Sequence, residues 1–270
     1  MKGTMNEMIS SGSGSRAGDA SASAHFVSAA KLLEVWESGQ QQPHVEKALT
    51  LLAAAYPSAS RETLAALTIG KRDARLIALR ERLFGAQLIS LTDCPGCSER
   101  LELVFNVLDI RTPPGPEPKA TFSLSRSGYK LQLRLPNSLD LLELTGCSTT
   151  AEMRAKLFEQ CVRRIKHQGR TKTAEHVKEI PLEVVELAIE RIGEADPQAD
   201  VEVNLLCPLC RHGWQTSFDI VSYLWTELHA WATQLLREVH LLASSYGWRE
   251  SDILSMSQWR RRCYLELLLG

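Results

Sequence analysis

Two short turns, "CPGC" at 94–97 and "CPLC" at 207–210, constrain this chain of 270 residues more than anything else in it. Each carries proline directly after its first cysteine. Each lies between stretches that read as strands: "QLISL" and "LELVFNVLDI" around the first, "ADVEVNLLC" and "WQTSFDI" around the second. A Cys-Pro-x-Cys turn aims two thiolates at one ion, and backbone amides within it can donate hydrogen bonds to sulfur. Cys94, Cys97, Cys207 and Cys210 together make the ligand set of a structural tetrahedral zinc site. Thiolates also suit an iron–sulfur cluster, but pairs flanked by strands favour a zinc ribbon. The spacing is the departure. Between Cys97 and Cys207 lie 109 residues, against about 15–20 in the short form of the pattern. Two independent turns with unligated thiols, or a redox pair, are the alternatives. The matched prolines and the matched strands favour one shared site.

A shared site makes the residues between Cys97 and Cys207 an insertion between the halves of a ribbon, with one ion closing the long loop. Structural zinc binds with roughly 10–16 kcal/mol in peptides, and loop closure costs only slowly more as a loop lengthens. A catalytic zinc keeps a water in its fourth position, which four sulfurs leave no room for. His212, two residues past Cys210, therefore reads as solvated or as a support outside the ligand set. Arg100 and Arg211, just beyond the turns, either temper the charge of a tetrathiolate ion or are ordinary surface arginines.

Charge and cysteine usage narrow the function. Net charge is −1 with 23% charged residues, so no global basic field draws the chain to nucleic acid, although a local patch is left open. No apolar run approaches a membrane span. The stretch "MKGTMNEMISSGSGSRAGDASASA" lacks the apolar middle of a signal peptide and reads as a disordered Gly/Ser/Ala tail over 1–24. Cytoplasmic synthesis in a reducing compartment is the expectation, so seven cysteines do not form a disulfide framework. Cys147, Cys161 and Cys263 read as small buried hydrophobes.

Periodicity predicts an α+β chain: a four-cysteine zinc-ribbon-like β unit with a long insertion, flanked by N-terminal and C-terminal helices. Residues 25–88 form a helical segment in which Leu76, Leu79, Leu83 and Phe84 stripe the last helix and Arg72, Arg75, Arg80 and Arg82 crowd its other sides. Residues 89–111 are the first half of the ribbon. The segment 112–199 is the insertion, with a proline-rich start, a hairpin turning at Ser127-Gly128, and helices over "LDLLEL", "AEMRAKLFEQCVRRI" and "PLEVVELAIERIGEA". Residues 200–218 are the second half, and 219–270 a helical segment. There Val221, Trp225, Leu228, Ala232, Leu235, Val239, Leu242 and Tyr246 recur by four and three, a seam suited to a partner helix. Trp225, Trp231, Tyr246, Trp248 and Trp259 offer aromatic anchors for a protein partner, with burial in the chain's own core as the alternative. Arg260, Arg261 and Arg262 fan around a helix and read as a solvated face.

Enzyme signatures are missing. The chain holds no phosphate-binding Gly-x-x-x-x-Gly-Lys, no Gly-x-Gly-x-x-Gly, no His-Glu-x-x-His and no Gly-x-Ser-x-Gly. The expectation is a protein that is not an enzyme and takes no small-molecule substrate.

In order along the chain stand "LTIGKRDARLIALRERLFG", "CPGCSERLELVFNVLDI", "LRLPNSLDLLEL", "CPLCRHGWQTSFDI" and "LREVHLLASSYGWRESDILSMSQWRRRCYLELL". Together, over about residues 25–268, they resemble a baseplate protein family of contractile phage tails and extracellular contractile injection systems, members of which are described as baseplate hub assembly chaperones. The signature residues fall on Gly70, Arg72, Asp73, Arg80, Gly85, the four cysteines, Leu135, Pro136, Asp140, Phe218, Asp219 and the turn Tyr246-Gly247-Trp248. The resemblance implies a non-enzymatic role in building a tail-like syringe, as a transient assembly factor or a resident part, with other baseplate or hub proteins as partners. The competing reading is a nucleic-acid-binding zinc-ribbon regulator using Arg72, Arg75, Arg80, Arg82 and Arg260–Arg262. A weaker third is a dithiol redox protein.

Overall fold

A computed structural model describes residues 27–113, 121–172 and 174–269. The tail expected over 1–24 and most of the proline-rich linker lie outside them. Helices and antiparallel strands make up the described chain, an α+β fold.

Four helices open it: α1 (Ala29–Gly39), α2 (His44–Ala55), α3 (Arg61–Ala65) and α4 (Ile69–Phe84). Ser28, Ser60 and Thr68 start three of them by accepting a backbone N–H with their side chains. Hairpin β1 (Gln87–Asp93) and β2 (Arg100–Asn106) follows. Over "VLDI" the chain then forms a helical turn, α5 (Val107–Ile110), not the strand expected there. The cause is local: Asn106 and Asp109 build a reciprocal capping box that ends β2.

The insertion holds β3 (Thr121–Arg126), β4 (Tyr129–Arg134), α6 (Ser138–Glu143), α7 (Thr150–Cys161), β5 (Val162–His167), β6 (Arg170–Lys172) and α8 (Leu182–Ala195). Its sheet runs β3-β4-β5-β6, all antiparallel. The β3–β4 turn stands at Ser127-Gly128 with φ of 49° and 76°, the left-handed pair that a tight hairpin requires. The helix expected to run through "CVRRI" stops at Cys161, and a second hairpin, β5–β6, takes its place. Ile165 then buries against Leu131 and Leu133 under α7 and α8, a tertiary gain that helical periodicity could not show.

Hairpin β7 (Val201–Leu206) and β8 (Gly213–Phe218) precedes the long α9 (Ile220–Tyr246), capped by Asp219 and ended by left-handed Gly247. Helices α10 (Glu250–Ser255) and α11 (Gln258–Leu269) finish the described chain.

The first half of α9 closes the core of α1–α4 through Val221, Leu224 and Leu228. Its second half packs Leu235 and Leu242 against Leu33 and Ile253. The apolar seam of α9 is thus covered by helices of the same chain. The insertion has a core of its own, centred on Leu131, Ile165 and Val184. It is fastened to α4, whose Ile69 N–H donates to the Pro136 carbonyl (3.1 Å) and whose Gly70 N–H donates to the Asp196 carboxylate (2.9 Å). A side chain at Gly70 would put its Cβ 1.9 Å from Asp196 Oδ1. Gly70→Ala is therefore expected to expel a buried carboxylate and cost about 2–3 kcal/mol, read as a lowered denaturant midpoint.

Candidate metal centre

Each cysteine turn is built the same way. In the first, Cys94 C=O accepts from Ser98 N–H (2.8 Å) and Cys94 N–H donates to Glu99 C=O (2.9 Å). In the second, Cys207 C=O accepts from Arg211 N–H (3.0 Å) and Cys207 N–H donates to His212 C=O (2.9 Å). The residue after the second cysteine is left-handed in both, Ser98 at φ 58° and Arg211 at φ 62°. Each turn thus curls back on its first cysteine, and both sulfurs point to one side. Glycine fits that conformation without the Cβ clash. Ser98→Gly with Arg211→Gly is expected to leave metal content unchanged and keep stability within about 1 kcal/mol, whereas Ser98→Val is expected to lower metal affinity. Titration with a chromophoric chelator reads both.

The hairpins bring the turns together. Leu101, Leu103 and Phe105 alternate on one face of β1–β2, and Val201, Val203 and Phe218 on one face of β7–β8. The apolar faces meet, with Phe105 and Phe218 edge to face at 5.7 Å. Tyr223 of α9 caps the outer edge of β1: its hydroxyl accepts from Ile89 N–H and donates to Ile89 C=O, both at 2.9 Å. The same ring is faced by Arg80, whose guanidinium donates to both oxygens of Glu227 (2.8 and 2.6 Å) and to Gly85 C=O (2.7 Å). Arg80, expected off the apolar stripe of α4, is only 2% exposed. Together with Glu227 it ties α4 and α9 to the base of the first hairpin.

The four sulfurs lie within 4.8 Å of one another. Cys94 Sγ is 3.6 Å from Cys210 Sγ, and Cys97 Sγ is 3.7 Å from Cys207 Sγ. Each short pair spans the two turns. These distances are far beyond the roughly 2.05 Å of a disulfide. Sulfurs about 2.3 Å from one tetrahedral ion stand about 3.8 Å apart, so the residues fit one metal ion. Gly96 permits the approach: a Cβ there would meet the His212 side chain at 3.0 Å. His212 stacks on Trp214 and is not among the clustered ligand atoms. Arg100 makes only a loose, exposed pair with Asp93 at 3.8 Å.

The thiols share their protons unequally. At Cys97 a backbone hydrogen bond at Glu99 favours the thiolate, but the facing sulfurs and desolvation prevail and push it up to about 12. Cys207 is drawn down to about 7, first by the Cys210 backbone amide. An ion must displace the remaining protons, so binding releases acid and weakens as pH falls. Away from the cluster, burial pushes the Cys161 thiol up to about 11, as befits an inert packed side chain.

A family model described as "T4 bacteriophage base plate protein" matches residues 19–225, more than half of the chain. The chain belongs to that family. Both cysteine turns and the whole insertion fall inside the match, which ends in α9. No curated protein and no solved structure matches the chain. The baseplate chain has no helix, among its described residues, long and apolar enough to cross a membrane.

The aromatic residues expected to bind a partner are divided. The Trp225 ring lies over Gly39, where a Cβ would meet it at 2.0 Å, and under Lys47 Nζ at 4.9 Å. Trp231 packs against the α1–α9 cores. Tyr246 and Trp248 stack on each other and against Tyr264. Trp259 alone of the five is largely in solvent, 77% exposed. The arginines of a nucleic-acid footprint divide as well. Arg72, and Arg261 from the expected solvated face, are buried against Asp73 and Glu238.

Proposed function

We propose that this chain is a non-enzymatic baseplate component or assembly factor of a contractile, phage-tail-like particle, held in shape by one structural zinc ion. Membership of the base plate family carries the reading. The sulfur cluster supports it: four thiolates complete a tetrahedral shell and leave no open position for substrate. Zinc is the ion best suited to four close thiolates flanked by strands. The site gives shape, joining hairpins from two distant parts of the chain, and contacts with other baseplate or hub proteins do the work. Assembly takes place in the cytoplasm, and Trp259, with Leu267 two turns further along α11, is the exposed apolar anchor. The nucleic-acid reading loses support because Arg72, Arg80 and Arg261 are committed to internal ion pairs.

Two measurements test this. Elemental analysis of the purified chain is expected to give one zinc per chain and a colourless protein; metal-free folded protein overturns the zinc assignment. Mass spectrometry of assembly intermediates and finished particles is expected to find the chain in one or both. Its absence from both, with particle numbers unchanged when the gene is deleted, overturns the baseplate role.

A further inference from the structure

The four strands of the insertion sheet carry eight lysines and arginines and no aspartate or glutamate. In a chain of net charge −1, that leaves −9 to everything else. Register puts four of them, Lys130, Arg134, Arg164 and Lys166, on the outer face. Opposite residues on neighbouring strands share a face. Ser125, Lys130, Lys166 and Thr171 therefore stand in one row across all four strands, and Ser123, Gln132 and Arg164 in the next. All are exposed, while Leu131, Leu133 and Ile165 turn the other way into the core. The bulge opposite Gln132 and Leu133 adds exposed Arg163. Lys130, Arg163, Arg164 and Lys166 take part in no ion pair among the described residues, whereas Arg134 at the rim is held by Asp140. Two lysines directly opposite each other repel and weaken the strand pairing. An anion bound between them removes that cost.

We propose that this sheet face docks onto an acidic surface of another baseplate protein, with Lys130 and Lys166 at the centre and Arg163 and Arg164 beside them. This rests on the baseplate reading and names the chemistry of the partner. Protein carboxylates suit the face better than nucleic acid does. It presents no aromatic side chain for bases to stack on. Four strands at about 4.8 Å spacing span about 14 Å, too wide for a major groove of about 12 Å. The hydroxyls and Gln132 between the cations give carboxylates neutral donors as well. The charge left on the rest of the chain opposes a long nucleic-acid polymer but not a local acidic patch.

Zero-length carbodiimide coupling, which joins a lysine amine to a touching carboxylate, tests the proposal on assembly intermediates and finished particles. Lys130 or Lys166 is expected to be joined to an aspartate or glutamate of a different baseplate protein. Lys130→Glu with Lys166→Glu is expected to cut the chain co-sedimenting with baseplate about tenfold or more, with metal content and thermal midpoint unchanged because both side chains are exposed and unpaired. Arg163→Gln with Arg164→Gln gives a milder loss and checks that folding is not the cause. Links only to a second copy of this chain overturn the proposal. So does wild-type co-sedimentation of the charge-reversed chain, or charge-dependent binding to a 30-bp DNA duplex without any baseplate link. Absence of the chain from every fraction refutes the baseplate role itself, and this proposal with it.

Discussion

Replacing Cys207 and Cys210 by serine is expected to abolish stoichiometric zinc and to remove about 5 kcal/mol or more of stability, enough to unfold the ribbon and its junction with the helices. Zinc in short peptides contributes roughly 10–16 kcal/mol, and half of that rivals the whole stability of an ordinary domain. The loss is large because each short sulfur pair crosses from one hairpin to the other. Losing one turn therefore removes the bridge, not merely half of the ligands. Chelation of the wild type is expected to reproduce the effect, and Cys161→Ser, at a buried position remote from the cluster, to leave zinc content unchanged. Acid should act like chelation. Backbone amides draw the Cys207 thiol down and the facing sulfurs push the Cys97 thiol up, so protons compete harder at each step downward and zinc release is expected to steepen below neutral pH. A zinc-responsive dye with circular dichroism checks the coupling; zinc loss with an unchanged melting curve would show that the ion is incidental.

Glu227→Ala is expected to cost about 3 kcal/mol, the penalty of leaving a buried guanidinium without its carboxylate. Arg80 gives up water for two bonds to Glu227, one to Gly85 and the face of Tyr223. Without the carboxylate its charge is stranded beneath β1. Arg80→Met with Glu227→Leu is expected to recover most of the loss, because an apolar pair of similar volume removes the desolvation cost. Denaturant unfolding compares the two variants. An equal loss in both would show that packing, not charge, dominates at this site.

The four-cysteine cluster is legible in the sequence because its information is local. Proline and spacing define each turn, and two matched turns point to one shared cluster, whose sulfurs lie within 4.8 Å of one another. The helices are legible too, since an apolar stripe such as Leu76, Leu79, Leu83 and Phe84 on α4 recurs with helical period. Other features depend on which elements meet. Nothing in "CVRRI" says that Ile165 will lie opposite Leu131, so helical periodicity runs on through what is a strand. For the same reason Lys130 and Lys166, far apart in the chain, do not register as one patch. Their alternation is visible, but only the pairing of β4 with β5 puts them face to face. Arginine is usually solvated, and that default hides the burial of Arg72, Arg80 and Arg261. The partners Glu227 and Glu238 sit on α9, and Asp73 beside Arg72 gives the only local hint. The α9 seam is apolar as its spacing predicts, yet helices of this chain, α1 and α10 among them, cover it.

The wide separation of the two turns also sets an order of events during synthesis. Cys94 and Cys97 leave the ribosome long before Cys207 and Cys210, so for the time it takes to make the insertion the nascent chain offers an ion only two sulfurs. The insertion has what it needs to fold in that interval: strands paired with sequence neighbours and a core of its own. Its collapse brings the ends of a 109-residue loop near each other, so the final two cysteines arrive at a site already half built. On the proposed zinc reading, capture of the ion then acts as a late checkpoint, passed only by chains whose middle has already folded.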